Sequence, residues 1–324
     1  SYTGSNSPFI AASTSSNDVI LGIYGENGAE INNTGNIVIG VSSIGIYGKG
    51  IDINQNGGVL SADKNALGIY LNGGTGNVNN TAINIADDNG AGIYATNSAG
   101  VTLGNTNNLN VGDTSGALSG SAAGSFGIVG KDGSIVTNNA NMNIGLASIG
   151  IYTENSTITN NGNMTAAGGG TDTKDGRVLI YGGRADIGNI GSAITNTGIL
   201  NAGDMGVGIY SNTGSIVNSG DITVGNGAVS GSTIDYSIGI LSKDSDVSMQ
   251  GGNLTVGTNG IGIAASGVNE NVEINITGGT LSAGDSSIYT YVRRGLGVPG
   301  LTAKLTDTSG GVYDLNKQNQ IGIY

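Results

Sequence analysis

The 324-residue chain contains no cysteine, no histidine and no tryptophan, and it has only two prolines. The absence of cysteine excludes a disulfide framework and any thiolate metal or catalytic site. The absence of histidine removes the commonest metal ligand and the commonest general base. With so little proline, the abundant glycine indicates neither collagen nor a proline-rich disordered chain.

Charged residues are also scarce, at 10% of the chain, and the formal net charge is −12. An acidic chain with few lysines and arginines argues against nucleic-acid binding. No apolar run approaches the roughly 18 residues that a membrane-spanning helix needs. The chain begins with Ser1 and has no signal-like apolar segment. We therefore expect a fragment or processed product of a longer protein.

Catalytic and cofactor motifs are missing as well. The sequence has no Gly-x-Ser-x-Gly nucleophile motif, no P-loop and no calcium-binding nonapeptide repeat. We therefore expect no catalytic residues, no metal and no cofactor, and we predict that the protein is not an enzyme.

Glycine is abundant, with 62 residues, and it recurs in one tetrapeptide. "IGIY" stands at 44–47 and 321–324, with variants at 21–24, 67–70, 91–94 and 207–210. The shortest spacing between successive glycines of this motif is 23 residues, and larger spacings are typical of insertions into the same unit. The glycine, or the residue in its place, stands at Gly22, Gly45, Gly68, Gly92, Gly127, Gly150, Leu179, Gly208, Gly239, Gly262, Ser287 and Gly322.

Each unit carries three short apolar clusters with period-two alternation, bounded by Gly, Asn, Ser or Thr. None is long enough for a helix. Three short strands in about 23 residues predict one rung of a parallel β-solenoid, in which stacking the rungs creates the core. We predict an all-β chain, a parallel β-helix of about 11–12 rungs that forms a single domain over residues 1–324.

Alternation along each strand predicts which residues face the core. In the tetrapeptide, Ile44 and Ile46, or Leu67 and Ile69, are expected to point inward, and the glycine and tyrosine outward. The second strand is expected to contribute Ile31, Ile53, Val78, Ile135, Ile158, Ile194 and Ile216. The third is expected to contribute Ile37, Ile83, Leu109, Met142, Met164, Ile199, Ile222 and Leu254.

An asparagine-rich corner follows the second strand. Asparagine tolerates the left-handed backbone that a sharp corner needs, and stacked amides can hydrogen-bond along the column. The residues expected at this corner are Asn33, Asn80, Asn139, Asn161, Asn196 and Asn218.

Insertions interrupt the repeat at 113–125, 168–177, 226–236 and 291–318. The first three fall at the same corner of the rung and are expected to protrude along one edge. The stretch 172–186 is the only charge-dense one and is the best candidate for the acid–base cluster of a β-helix lyase or hydrolase. A solvated loop with mutually paired charges explains the same residues. Its charged residues are Asp172, Lys174, Asp175, Arg177, Arg184 and Asp186.

Nine of the 13 tyrosines stand at the fourth position of the tetrapeptide or its equivalent, so the rungs stack them in one outward column. Such a column is either a ligand platform for sugar rings or apolar patches, or a structural ladder whose rings cover the glycines beside them. The nine are Tyr24, Tyr47, Tyr70, Tyr94, Tyr152, Tyr181, Tyr210, Tyr289 and Tyr324. The candidate ligand-binding residues are Tyr24, Tyr47, Tyr70, Tyr94, Tyr152 and Tyr210, together with the adjacent basic pair Arg293 and Arg294.

Units such as "SIGIYTENSTITNNGN" and "GVGIYSNTGSIVNSGDITVGN" resemble the passenger repeats of large fusobacterial type V autotransporters, the RadD-like outer-membrane adhesins. The resemblance covers residues 20–324. It implies a right-handed parallel β-helix displayed on a bacterial surface and used in coaggregation or host adhesion. Its partners would be host-cell or bacterial surface proteins or glycans. Its link to the membrane would be a C-terminal translocator barrel outside this chain.

Three functions follow as alternatives from the repeat and the resemblance. The first is a non-catalytic adhesive passenger segment at the cell surface. The second is a β-helix carbohydrate-active enzyme, such as a polysaccharide lyase or depolymerase. The third is a purely structural spacer within a larger adhesin.

Overall fold

The computed structural model describes residues 2–4, 9–11, 20–86, 88–113, 124–166, 177–183, 191–230, 233–294, 301–311 and 318–323. Most of the inserted segments 113–125 and 168–177, parts of 226–236 and 291–318, and Tyr324 lie outside these residues. In the part of the chain that is described, all helical and strand structure is β-strand, and 29 strands form one parallel sheet. The predicted parallel β-helix is confirmed.

The sheet winds through three faces, and each strand pairs with the equivalent strand of the next rung. The first face carries the tetrapeptides, and twelve described strands contribute to it. They are β3(Leu21–Glu26), β6(Ile44–Asn56), β8(Leu67–Asn79), β10(Ala91–Thr96), β13(Phe126–Lys131), β16(Ile149–Glu154), β19(Val178–Gly183), β22(Val207–Asn218), β26(Ser237–Val256), β27(Gly260–Gly267), β29(Ile288–Arg294) and β31(Ile321–Ile323).

The long strands β6, β8 and β22 continue around a corner onto the second face, and β26 continues through all three faces. The second face also contains β1(Tyr2–Gly4), β4(Glu30–Asn33), β11(Gly100–Leu103), β14(Ile135–Asn138), β17(Thr157–Asn160), β20(Ser192–Asn196), the start of β28(Val272–Ala283) and β30(Ala303–Asp307). The third face contains β2(Phe9–Ala11), β5(Ile37–Ile39), β7(Val59–Ala62), β9(Ala82–Ile85), β12(Asn108–Val111), β15(Asn141–Ile144), β18(Met164–Ala166), β21(Leu200–Ala202), β23(Ile222–Val224) and the end of β28.

The core is organised in columns, because parallel register places each side chain on its equivalent in the next rung. The third position of the tetrapeptide supplies an unbroken column of ten buried isoleucines. These are Ile23, Ile46, Ile69, Ile93, Ile128, Ile151, Ile180, Ile209, Ile240 and Ile263.

The first position of the tetrapeptide does not join this core, so the predicted inward orientation of Ile44 and Leu67 is wrong. Both side chains are only half-buried. A Cβ built on Gly45 would instead point inward, 2.7 Å from Cδ1 of the core residue Ile39 and 2.7 Å from the carbonyl oxygen of Gly68. Strand alternation therefore slips by one residue at the glycine. Glycine is needed there because neither the core nor the next rung's backbone leaves room for a side chain.

Two further core predictions are wrong by a single residue. Ile135 is 55% exposed and Ile199 is 49% exposed, whereas the next residues, Val136 and Leu200, are buried. In both places two apolar residues are adjacent, and the register with the neighbouring rung selects the second. The other residues predicted for these strands are buried: Ile31, Ile53, Val78, Ile158, Ile194, Ile216, Ile37, Ile83, Leu109, Met142, Met164, Ile222 and Leu254.

A buried amide ladder runs along the end of the second face. Asn138 donates from Nδ2 to Oδ1 of Asn160 at 2.7 Å, Asn160 donates to Asn196 at 2.8 Å, and Asn196 donates to Asn218 at 2.7 Å. Each amide also donates to the carbonyl oxygen two residues further along its own chain. The predicted amide column is therefore present and satisfies its own polar groups in the core.

The residues of that corner differ in part from the prediction. Asn33, Asn196 and Asn218 are buried, but Asn80 and Asn161 are exposed. Of the six predicted residues, only Asn80 has a left-handed backbone, with a φ of 50°. Most of the left-handed residues other than glycine instead stand at two other corners. Eight stand two positions before the tetrapeptide: Ser42, Asn65, Asn89, Ala147, Met205, Asn259, Ser286 and Asn319. Six stand three positions after the tyrosine position: Asn27, Asn97, Asp132, Asn155, Thr213 and Asp244.

The first three insertions each connect a third-face strand to the next first-face strand. Within 226–236, β24(Ala228–Ser230) and β25(Thr233–Asp235) form a separate antiparallel pair outside the main sheet. In chain order, the insertions therefore lie between the third face and the tetrapeptide face, and the predicted protrusion of 113–125 and 168–177 falls mostly outside the described residues.

Candidate functional site

The fourth position of the tetrapeptide forms one outward column on the first face. From the first to the eighth described strand of this face, seven of the eight residues in register at this position are tyrosine, and the exception is Val129. The column runs Tyr24, Tyr47, Tyr70, Tyr94, Val129, Tyr152, Tyr181 and Tyr210.

The first four rings form a continuous parallel stack. The ring centroids of Tyr24 and Tyr47 are 5.3 Å apart, those of Tyr47 and Tyr70 are 5.1 Å apart, and those of Tyr70 and Tyr94 are 5.2 Å apart. The interplanar angles are 11°, 4° and 8°. Such offset stacking stabilises each pair beyond the area that it buries.

After Val129 the stack resumes with different angles. The rings of Tyr152 and Tyr181 are 4.8 Å apart at 14°, and those of Tyr181 and Tyr210 are 4.8 Å apart at 60°. Phe126, from the same rung as Val129, packs edge-on against Tyr152 with centroids 5.6 Å apart at 68°.

Stacking determines which part of each ring faces a ligand. Rings this close cannot lie side by side in one plane, because two coplanar phenol rings would overlap. Each ring therefore turns its faces towards its neighbours along the rod. Between stacked tyrosines the column presents ring edges to solvent rather than a flat aromatic platform. Tyr24, at the first described rung, is 53% exposed.

The idea that each ring covers the glycine beside it is wrong. Gly45, two residues before Tyr47, faces the core rather than the ring, and a Cβ built on Gly48 would also point inward, 2.7 Å from Cδ1 of Ile53. The tyrosines therefore stabilise the rod through contact with one another rather than by shielding glycine.

The last predicted member of the column is shifted by two residues. Tyr289 occupies the position equivalent to Gly262 and is buried, whereas Tyr291 pairs with Ala264 at the tyrosine position. Leu241 and Ala264 separate Tyr210 from Tyr291 in register. The prediction for Tyr324 lies outside the described residues.

Arg293 and Arg294 lie at the end of β29 and are exposed. Their register partners are Ser266 and Gly267. The structure places them two and three residues beyond Tyr291, in the eleventh first-face strand. It does not bring them to the stacked tyrosines of the first eight rungs.

Acidic residues two positions after the tyrosines contact some of the rings. The Tyr152 hydroxyl donates to Oε1 of Glu154, and Nζ of Lys131 lies 3.1 Å from Oε2 of the same carboxylate. Burial raises the pKa of Tyr152 above its ordinary value, and the hydrogen bond to Glu154 raises it further. A hydrogen bond to Glu26 is the largest cause that raises the pKa of Tyr24 to about 12.

A depression of about 300 Å³ lies where the column is broken. Its floor contains Ala91 and Val129, both buried, and its walls include Tyr94, Phe126 and Tyr152. Lys131 and Asn89 also line it. The repeat pattern alone does not predict this depression, but the sequence carries a signal for it: the unit reads "FGIVG", with valine where its neighbours carry tyrosine.

The charge-dense stretch 172–186 is described only over 177–183. Arg177 is buried there, and its Nη1 donates to the carbonyl oxygen of Asp204 at 3.5 Å. Asp172, Lys174, Asp175, Arg184 and Asp186 lie outside the described residues. Among the residues that are described, no three acidic side chains come together as metal ligands would.

No helix suited to crossing a bilayer occurs in the described part of the chain. The chain matches no protein-family model, and comparisons with curated proteins and with solved structures give no match either.

Proposed function

We propose that this chain is a non-catalytic adhesive segment of a surface-displayed bacterial protein, and that the first face contacts the ligand. The observation that carries the proposal is the tyrosine column, because seven tyrosines at one outward position create an aromatic ridge whose ring edges reach the surface, with Tyr24 exposed and the other six half-buried. Tyrosine is enriched at protein interfaces relative to the rest of the surface. The ligand in this proposal is a protein or glycan on a host cell or on another bacterium.

The scaffold favours recognition over catalysis. Each ring is held by its neighbours at about 5 Å, so little side-chain freedom remains to be lost on binding. The solenoid repeats this arrangement along its length, which favours multivalent contact with a repetitive surface. Net charge of −12 is compatible with a soluble, exposed segment.

Display at the cell surface rests on the resemblance of the repeats to type V autotransporter passengers. In this proposal the segment lies outside the cell, and the outer-membrane translocator of the parent protein holds it there. The chain without cysteine fits export in an unfolded form, since no disulfide has to form on the way.

The test is attachment of the purified chain to host cells and to partner bacteria. A variant with Tyr47, Tyr70 and Tyr94 all changed to serine is expected to attach at least about tenfold more weakly than the wild-type chain. The matched control changes the same three residues to phenylalanine, which preserves stacking. Circular dichroism must show that both variants are folded.

Attachment by the serine variant at the wild-type level would overturn the role of the column. A wild-type chain that attaches to neither cell type would instead favour a structural spacer. Release of oligosaccharides from a bacterial or host polysaccharide by the wild-type chain would favour the carbohydrate-active enzyme.

A further inference from the structure

The break at Val129 exposes ring faces that the rest of the stack conceals. Tyr94 and Tyr152 are the register partners on either side of Val129. Between stacked tyrosines each face is covered by the next ring, but the face of Tyr94 that looks along the rod towards Val129 has no tyrosine against it. The depression lies against this face.

The spacing at the break suits one inserted ring. Adjacent strands of a sheet are about 4.8 Å apart, so Tyr94 and Tyr152, two rungs apart, are separated by roughly 10 Å. A ring stacked on Tyr94 at the spacing of about 5 Å found elsewhere in the column would stand at the level of Val129, while Phe126 packs edge-on against Tyr152 on the other side at 5.6 Å. The volume of the depression, about 300 Å³, is at the lower end for small-molecule sites.

Small residues in two neighbouring rungs create the space. Ala91 occupies a position where the neighbouring rungs carry Leu67 and Phe126, and Val129 replaces a tyrosine. Both are buried and form an apolar floor. Phe126 stands beside the gap, edge-on to Tyr152, and closes one side.

The rim carries polar groups without net charge. Lys131 lies 3.1 Å from Glu154 and 5.8 Å from the ring centroid of Tyr152. An ammonium group has three donors, and Glu154 accepts from both Lys131 and Tyr152. Exposed Asn89, at the other side of the depression, offers an amide donor and acceptor. Apolar walls with a few polar groups at the edge are typical of sites that orient a small ligand.

We infer that this depression binds one pyranose ring of a neutral glycan. The C–H face of the sugar packs on Tyr94, and its hydroxyl groups, which point outward from the ring edge, meet Lys131 and Asn89. The charges of Lys131 and Glu154 cancel, so the site favours a neutral sugar over a sialic or uronic acid. An aromatic side chain from a protein partner would bury the Lys131–Glu154 ion pair without forming hydrogen bonds to it, which is unfavourable. This inference deepens the proposed adhesive function and rests on it.

The test uses a panel of neutral and acidic oligosaccharides, followed by titration of the best neutral one. Val129→Tyr fills the gap with the residue that seven neighbouring positions carry, and it is expected to weaken binding at least about tenfold while leaving the melting temperature unchanged or higher. The matched control is Leu241→Tyr, which adds a tyrosine next to Tyr210 at the other interruption of the column. It is expected to bind like the wild type. Ala91→Leu, which raises the floor, provides a second blocking variant.

Equal binding by the wild type and both blocking variants would overturn the inference. Binding of only acidic oligosaccharides, or of aromatic peptides and no oligosaccharide, would also overturn it. The inference and the proposed function can fail separately. If attachment to cells persists in Val129→Tyr but is lost in the triple tyrosine-to-serine variant, the proposed function stands and the depression is not the binding site. If the wild type attaches to no cell and binds no glycan, both proposals fail.

Discussion

The ring of Tyr47 lies 5.1 Å from the ring of Tyr70 and is inclined to it by only 4°. The two residues are 23 positions apart in the chain, but their Cα atoms are direct partners in adjacent parallel strands. The same contact recurs between the neighbouring pairs Tyr24–Tyr47 and Tyr70–Tyr94, because each rung places its tyrosine in register with the next. The rings therefore follow the register of the rungs that carry them, and their stacking contributes to the stability of those rungs.

A charge in the isoleucine column is expected to unfold or fray the rod. Ile46 is completely buried between Ile23 and Ile69, so Ile46→Asp would place an unpaired carboxylate in the core. We expect a loss of at least about 3 kcal/mol in the free energy of unfolding. Thermal melting followed by circular dichroism measures this. Ile135→Asp, at an exposed isoleucine, is the matched control and should stay within about 0.5 kcal/mol of wild type. Cooperative melting of Ile46→Asp at the wild-type temperature would contradict the inward orientation.

Gly45 is expected to reject even a methyl group, although the equivalent positions of two other rungs hold the buried side chains of Leu179 and Tyr289. In Gly45→Ala the new Cβ would lie 2.7 Å from a backbone oxygen of the next rung, which cannot move without disturbing the sheet. We expect a loss of about 1–3 kcal/mol, as for an overpacked core. Gly100→Ala provides the control, because its nearest neighbour is the Thr75 side chain at 3.9 Å. Urea denaturation of both variants is the measurement, and equal midpoints would show that the glycine position tolerates a side chain.

The buried amide ladder predicts different effects at two adjacent asparagines. Asn160→Ala removes the acceptor of Asn138 and the donor to the carbonyl oxygen of Gly162, and leaves both groups buried. We expect it to cost about 1–3 kcal/mol in unfolding free energy. Asn161→Ala removes a solvent-exposed hydrogen bond to Asn139 and is expected to cost less than about 0.5 kcal/mol. Chemical denaturation measures the unfolding free energy of both variants. Similar losses would mean that burial does not determine how much an asparagine side chain contributes to stability.

Alkaline pH is expected to destabilise the rod through its tyrosines. Burial is the largest cause that raises the pKa of Tyr181 from 10.0 to about 12. Between these values the unfolded chain has released the phenol proton and the folded chain retains it. The folded state therefore binds more protons, and stability decreases as the pH rises through this interval.

Melting temperatures measured from below pH 10 to pH 12, with tyrosinate absorbance in parallel, test this effect. Tyr181→Phe keeps the ring but removes the titrating group, so its alkaline loss of stability is expected to be shallower than that of the wild type. A steeper loss in Tyr181→Phe would contradict the sign of the effect.

Several features of the fold follow from local sequence. The spacing of 23 residues, the three short apolar clusters and the glycine-rich turns predict a parallel solenoid, and the structure has that architecture. The third position of the tetrapeptide was correctly placed in the core, because isoleucine recurs there in ten successive first-face strands. The outward tyrosine column also follows from alternation. The interruption of the column at Val129 is visible in the sequence, but the depression that it leaves depends on how the rings of Tyr94 and Tyr152 stand on either side.

Other features depend on contacts between rungs. Ile135 and Val136 are both β-branched and adjacent, and only pairing with Ile158 decides that the valine faces inward. The left-handed corner before the tetrapeptide accepts Ala147 and Met205, which carry no local signal for that backbone. Tyr289 is buried rather than exposed because register aligns it with Gly262. None of these outcomes is contained in the residue and its immediate neighbours.

The repeat, the solenoid and the residue types of each column can be read from the chain alone, because these depend on periodicity along it. Contacts between rungs select which residue of an adjacent apolar pair enters the core, which way the tetrapeptide glycine points and how the tyrosine rings are turned. These depend on how closely one rung approaches the next. That approach leaves no room for a Cβ at Gly45, makes the tyrosines stack face to face, and leaves an open depression where Val129 interrupts them.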